Sequence, residues 1–162
     1  MKAHAVVNDA GRQEKIVPPP LLVLACLVAG GIAHRLRPVR FLPDLGVAGP
    51  AIGAALVLVG LGVGLAGVRQ FHRHRTPTSP YRPTTALVTT GVFRFTRNPM
   101  YLGFVLLTVG VAIAFNSAAF LVSALLLVVL LQFAVIRPEE RFLTRRYGAE
   151  FEAYLRGTRR WI

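Results

Sequence analysis

The charged residues of this 162-residue chain leave three long uncharged stretches, and these restrict the fold more than any other feature. They are residues 16–33, 45–68 and 98–136, with lengths of 18, 24 and 39 residues. A helix needs about 20 consecutive apolar residues to cross a bilayer. The pattern is therefore typical of an integral membrane protein and excludes a water-soluble enzyme, a disordered tail and a disulfide scaffold.

The longest stretch cannot form one crossing, because 39 helical residues would extend for about 58 Å, about twice the hydrocarbon thickness. The only polar interruption near its middle is Asn116-Ser117, which predicts a hairpin of two helices at 99–114 and 118–136. Two earlier spans are predicted at about 17–34 and 46–68. A cleaved signal peptide is the alternative for the first span, but no small-residue cleavage site separates it from Arg35. The sequence thus predicts a single all-α integral membrane domain, residues 1–162, with about four transmembrane helices.

The basic residues predict the orientation of this domain. Of the 19 Lys and Arg residues, 16 lie in the N-terminal segment, the loop 69–98 and the tail 137–162. Four crossings place these three regions on one side, which the positive-inside rule makes cytoplasmic. Arginine outnumbers lysine 17 to 2, a composition that suggests a GC-rich bacterial genome. We therefore expect a bacterial inner-membrane protein with both termini in the cytoplasm.

Two motifs are better explained by structure than by a ligand. Residues 62–67 fit a Gly-x-Gly-x-x-Gly pattern, but they lie inside a predicted membrane helix rather than after a strand. With Gly49 and Gly53, and Gly60 and Gly64, they predict a face of small residues against which another helix packs closely. His72 and His74 have no Cys or acidic partner nearby in sequence, so no metal site is predicted. The net charge of +12 comes from basic residues that flank the membrane spans, so no nucleic-acid partner is predicted either.

The polar residues concentrate outside the spans. None of the spans has an Asp, Glu, Lys, Arg or His residue in its interior, which argues against a transporter. In the tail, Pro138 with Glu139 and Glu140 is typical of a helix start. The spacing of Phe151 and Tyr154 continues an apolar repeat of three or four residues, which predicts an amphipathic cytoplasmic helix on the membrane surface.

Several motifs occur in a specific order in the second half of the chain. They are Leu-Val-Thr-x-Gly-x-Phe at 87–93, Arg-Asn-Pro-Met-Tyr-x-Gly at 97–103, the pair at 139–140, Tyr-Gly at 147–148 and Arg-Trp-Ile at 160–162. Together they resemble the isoprenylcysteine carboxyl methyltransferase and phospholipid methyltransferase family of integral membrane enzymes.

The resemblance implies that S-adenosylmethionine binds where the loop, the last two spans and the tail helix meet. The residues it assigns to the cofactor are Thr85, Ala86, Leu87, Val88, Phe93, Asn98, Pro99, Met100, Tyr101 and Glu139. Two positions depart from the family pattern, because Asn98 stands where histidine is usual and Phe93 where tyrosine is common. An asparagine still forms hydrogen bonds but cannot shuttle a proton.

The function that follows is an S-adenosylmethionine-dependent methyltransferase acting on a lipidic or membrane-partitioning small molecule. The closest named activity is carboxyl methylation of an isoprenylated cysteine, in which Arg97 or Arg137 would orient the substrate carboxylate. Phospholipid N-methylation is the alternative enzymatic reaction, and it would require a base to deprotonate the amine. The alternative of another class is a non-enzymatic membrane scaffold or small transporter with four helices.

Overall fold

The computed structural model describes residues 17–75 and 86–162. Four apolar helices make up most of the structure: α1 (Pro19–Leu36), α2 (Ala48–Arg73), α3 (Pro99–Ala114) and α4 (Ala118–Leu130). The described residues form helices and connecting loops without any strand, and α3 and α4 form a hairpin. This confirms the predicted all-α fold.

The last apolar helix does not end at Pro138. It continues from α4 through a π-helical segment (Leu131–Ile136) into α5 (Arg137–Tyr147), so that the helix is unbroken over Ala118–Tyr147. Proline lacks the backbone N–H and clashes with the carbonyl four residues before it, which would break a regular α-helix. Here the Arg137 N–H bonds the Gln132 carbonyl, five residues back, and this wider turn accommodates the proline.

Two short elements complete the fold. A 3-10 helix (Gly91–Arg94) precedes α3, and α6 (Ala149–Gly157) follows α5. Gly148 separates α5 from α6 and has a φ of 52°, a left-handed conformation that glycine adopts without the steric cost of a Cβ. The tail therefore consists of the end of the long helix followed by a second, short helix, where the sequence predicted one helix.

The exterior of the helices is apolar, as expected for a protein surrounded by lipid. Leu24, Leu58 and Leu125 expose 57%, 68% and 62% of their surface. In the described part of the chain, α1, α2 and the continuous helix from Ala118 are long and apolar enough to cross a membrane. The apolar α3 is shorter, with 16 residues or about 24 Å. The chain is a membrane protein, and the number of crossings stays a prediction.

Glycines bring α2 and α3 into close contact. A Cβ built on Gly53 would lie 2.5 Å from the Gly110 carbonyl oxygen, and one on Gly60 would lie 2.7 Å from the Gly103 carbonyl oxygen. Farther along α2, a Cβ on Gly67 would lie 2.9 Å from a side-chain carbon of α3. The predicted packing through small residues is confirmed. The glycines of α2 that contact α3 are seven residues apart rather than four. Seven residues make about two helical turns, so these glycines lie on one face of α2.

The hairpin carries α1 on its other side, giving the order α2, α3, α4, α1 across the bundle. At the α3–α4 turn, Asn116 fixes the connection between α1 and α2. Its Oδ1 accepts bonds from the N–H groups of Phe41 (3.2 Å) and Leu42 (2.9 Å). Its Nδ2 donates to the Leu42 carbonyl at 2.9 Å. The polar interruption that predicted a turn therefore also closes this end of the bundle.

Candidate active site

The site is built around the first turn of α3. Pro99 begins the helix, where its missing N–H has no intrahelical partner to lose. Two residues along, Tyr101 is buried and its hydroxyl donates a hydrogen bond to Glu139 Oε2 of α5 at 2.9 Å. The wide turn of the π-helical segment precedes α5 and sets the rotation at which Glu139 meets Tyr101. This contact joins two helices at the end of the bundle opposite Asn116.

The neighbouring Glu140 forms an ionic cluster with two arginines. Its carboxylate accepts bonds from Arg160 Nε at 3.0 Å and Arg160 Nη2 at 2.7 Å, and it lies 3.4 Å from Arg97 Nη2. Arg97 also donates from Nη1 to the Leu155 carbonyl at 3.2 Å. Burial lowers the pKa of Arg97 while the Glu140 carboxylate acts in the opposite direction, and the bonds to Glu140 raise the pKa of Arg160. One carboxylate thus holds two guanidinium groups together.

The loop before α3 is fixed from two sides. Gly91 has a φ of 62° and lies against the Gln70 side chain of α2, which leaves no room for a Cβ. The buried Phe93 ring packs edge-on against Phe71 at a centroid distance of 5.4 Å. The Phe93 carbonyl accepts a 2.7 Å bond from the Tyr154 hydroxyl of α6. Burial raises the pKa of Tyr154 to about 12, although the nearby Arg97 charge lowers it.

These elements enclose a cleft of about 640 Å³, a volume that includes open solvent at its mouth. The lining residues come from α2, the loop, α3, the π-helical segment, α5 and α6. They are Phe71, Ala86, Leu87, Val88, Phe93, Arg97, Asn98, Pro99, Met100, Tyr101, Ile136, Glu139, Glu140, Leu143, Phe151 and Tyr154.

The residues that the sequence assigned to a cofactor meet in this one cleft. Nine of the ten line it, from Ala86 to Glu139, and the tenth, Thr85, lies outside the described residues. Of the two arginines predicted to orient a substrate, Arg97 lines the cleft. Arg137 does not: it is exposed, and its guanidinium stacks on the Phe133 ring at 4.2 Å. Among the described residues, no group of three His, Cys, Asp or Glu could hold a metal ion.

Comparison with known proteins agrees with this arrangement. A sequence profile described as phospholipid methyltransferase matches residues 49–150, more than half of the chain. The chain belongs to the phospholipid methyltransferase family. Searches of curated proteins and of solved structures gave no match. Family membership and the apolar helices together make this protein a membrane methyltransferase and confirm the family predicted from the motifs.

In this member of the phospholipid methyltransferase family, the matched segment runs from α2 to the start of α6. It includes every lining residue up to Leu143 and ends just before Phe151 and Tyr154. The amphipathic repeat of the tail signals these last two residues, since it places them on one face of a helix. No local pattern signals Phe71, because it reaches the cleft only through the packing of α2 against the loop.

Proposed function

We propose that this protein transfers a methyl group from S-adenosylmethionine to a lipidic or membrane-partitioning substrate in the cleft. Methyltransferases of the family generally use this cofactor. The observation that carries the proposal is the meeting of nine sequence-assigned residues in one cleft, although they come from the loop, α3 and α5. A concave, largely apolar cleft with a small number of polar groups is the usual form of a small-molecule site.

The chemistry of the cleft fits the cofactor. S-adenosylmethionine has an aromatic base, hydroxyl and amino donors, a carboxylate and a cationic sulfur. The cleft offers the aromatic ring of Phe93 and the carboxylate of Glu139. The Nε–H of Arg97 is buried and has no hydrogen-bond partner among the described residues. A buried donor without an acceptor is costly, and an anionic group of a ligand would relieve that cost.

The residues of the chain would position and shield the reactants. When bound, S-adenosylmethionine would supply an electrophilic methyl group: a lone pair of the acceptor would form the new bond, and the electron pair of the broken methyl–sulfur bond would stay on sulfur. The Tyr101 ring could attract the cationic sulfur, and Glu139 could accept hydrogen bonds from hydroxyl or amino groups. Phe93 and Phe151 are buried and would exclude water. Alignment of reactants supplies the catalysis, and no metal is needed.

The geometry bears on the methyl acceptor as well. The two terminal nitrogens of Arg97 already face Glu140 and Leu155, and Arg137 is outside the cleft. A carboxylate acceptor of the isoprenylcysteine type therefore gains less from these arginines than the sequence predicted. An amine acceptor is the second candidate, since the Glu139 carboxylate can attract an ammonium group and accept its proton. The family description names phospholipids, whose amine headgroups fit this chemistry.

The proposed location of the reaction is the cytoplasmic face of a bacterial inner membrane. The cleft lies at the end of the bundle that carries the loop and the tail, the two regions with most of the arginines. The cofactor would enter from the cytoplasm and the lipid substrate from the bilayer. The arginines around the cleft would contact anionic headgroups.

Calorimetric titration of the purified protein with S-adenosylmethionine tests the cofactor. Glu139→Gln keeps the size of the side chain but removes its charge, so we expect binding to weaken about tenfold or more. The matched control is Glu152→Gln, an exposed glutamate on α6 that does not line the cleft. Unchanged binding in Glu139→Gln would remove this residue from the site, and no binding to the folded wild type would refute the proposal in favour of a scaffold.

Transfer of a radiolabelled methyl group to a total lipid extract tests the acceptor. Label in an amine-headgroup lipid supports phospholipid N-methylation. A base-labile methyl ester indicates a carboxylate acceptor instead. If the protein binds the cofactor but labels no lipid, the acceptor is not a lipid of that extract and the lipidic substrate is refuted for that membrane.

A further inference from the structure

We infer that residues 159–161, here called the return segment, are a positioning part of the cofactor site and that Glu140 holds them there. This inference rests on the proposed function, because it concerns the same cleft. The return segment follows α6 and runs back across the residues that precede α3. Three of the residues that it contacts, Arg97, Asn98 and Glu140, line the cleft.

The backbone of the return segment holds the motif at residues 96–98. The Arg97 N–H donates to the Arg159 carbonyl at 3.0 Å. The Arg160 carbonyl accepts two bonds, from Thr96 Oγ1 at 3.3 Å and from Asn98 Nδ2 at 2.8 Å. Three consecutive residues next to Pro99 are thus tied to two consecutive carbonyl groups. The position of the first turn of α3 against the loop depends on these bonds.

The side chains of the return segment fasten it to the other wall of the cleft. Arg160 makes its two bonds to Glu140 of α5, which lines the cleft together with Glu139. Trp161 donates from Nε1 to Gln132 Oε1 of the π-helical segment at 3.1 Å and packs against the buried core. The segment therefore connects α3 and α5, the two helices that supply Tyr101 and Glu139.

This arrangement gives Asn98 a role of its own. Asn98 stands at the N-cap of α3, yet its side chain makes no capping bond. Its amide nitrogen instead donates a hydrogen bond to the Arg160 carbonyl. The side-chain amide is not a titratable group, so this donor does not depend on pH. Asn98 is thus a positioning residue that acts through the return segment. Asn98→Asp, which has the same shape without the donor, should release the segment, because it sets a carboxylate against a carbonyl.

Trp161 allows a direct test, because it is the only tryptophan of the chain. In the full-length protein in nanodiscs, Glu140→Gln should increase acrylamide quenching of Trp161 and weaken S-adenosylmethionine binding about tenfold. Glu152→Gln is the matched control and should change neither reading. Coupling between two sites is reciprocal, so added cofactor should partly restore the protection of Trp161 in Glu140→Gln.

A double variant tests whether the two side chains act as one unit. Arg160→Gln alone should also weaken cofactor binding. The double variant, Glu140→Gln with Arg160→Gln, should weaken it no more than Glu140→Gln does, because each substitution removes the contact between Arg160 and Glu140. Additive losses would overturn the inference, as would exposure of Trp161 with unchanged cofactor affinity. Failure of the wild type to bind the cofactor refutes the proposed function instead, and is distinguishable because it appears without any substitution.

Discussion

Several polar side chains beside the cleft bind backbone carbonyl groups. Tyr154 donates to the carbonyl of Phe93, and Arg97 to that of Leu155. Each bond joins the loop to α6, two elements that the chain separates by about 60 residues. Hydrogen bonds between partly buried groups favour the one arrangement in which donor and acceptor meet. At the scale of residues, the shape of the cleft is therefore fixed by hydrogen bonds between side chains and backbone.

Tyr154 gives a prediction about pH. Its pKa is raised to about 12 by burial, so the folded state favours the neutral phenol. The stability that this hydroxyl contributes is complete below the ordinary tyrosine pKa of about 10 and is lost as the pH rises toward the folded value. We expect the alkaline absorbance titration of the wild type to show a late phase whose amplitude falls by one tyrosine in Tyr154→Phe. A titration of the variant with the same late phase would contradict this placement of the phenol.

At the scale of elements, the contact between α2 and α3 depends on glycines seven residues apart. Gly53 and Gly60 approach backbone atoms of α3, whereas a Cβ on Gly62 would meet no atom of the described part of the chain within 4 Å. All three glycines lie in the same helix, so they differ in which face they occupy. The helix contact is therefore specific to one face, and α2 carries Phe71 to the cleft only if that contact is kept.

Alanine substitutions on α2 test this contact. Gly53→Ala should destabilise the protein by about 1–3 kcal/mol, because its methyl group would overlap the backbone of α3. The control Gly62→Ala adds the same methyl group on the open face and should be neutral or stabilising by about 0.5–1 kcal/mol, since alanine favours a helix. Unfolding in mixed micelles measures both. Equal effects of the two substitutions would show that the contact is not as close as the structure has it.

At the scale of the whole molecule, the charges separate the two ends of the bundle. Among the described residues, the end with the cleft carries the arginines of the loop and the tail, and the other end carries Arg35, Arg37 and Arg40. A positive end of this kind is retained in the cytoplasm during insertion. The orientation is a prediction of the sequence, and it determines which compartment supplies the cofactor.

Cysteine labelling tests the orientation. In a Cys26→Ala background, Arg156→Cys places a thiol at an exposed position of α6. Asp44→Cys places one at an exposed position between α1 and α2, at the other end of the bundle. An impermeant maleimide applied to intact spheroplasts should label the second variant and spare the first. Inverted vesicles should give the opposite result. Labelling of both positions from one side would refute the predicted topology.

Much of the fold was predictable from the sequence because the helices follow from local patterns. Uncharged runs of 18, 24 and 39 residues require apolar helices, and one polar interruption at Asn116 requires a turn. Motifs likewise identified nine residues that line the cleft. The helix through Pro138 was not predictable, because a proline followed by two acids has the same local signature whether it starts a helix or follows a π-helical segment.

The sequence by itself determined the membrane-embedded helices, the family and the residue types of the cleft, because length, charge and motif are local properties of the chain. The tertiary structure alone decided which glycines of α2 contact α3 and that Glu140 pairs with both Arg97 and Arg160. It also decided that the Asn98 amide donates a hydrogen bond to the Arg160 carbonyl. These contacts depend on the rotation and register of each helix against its neighbours. Burial in lipid makes every apolar face acceptable, so hydrophobic periodicity does not encode that rotation, and close backbone packing and paired polar groups set it instead.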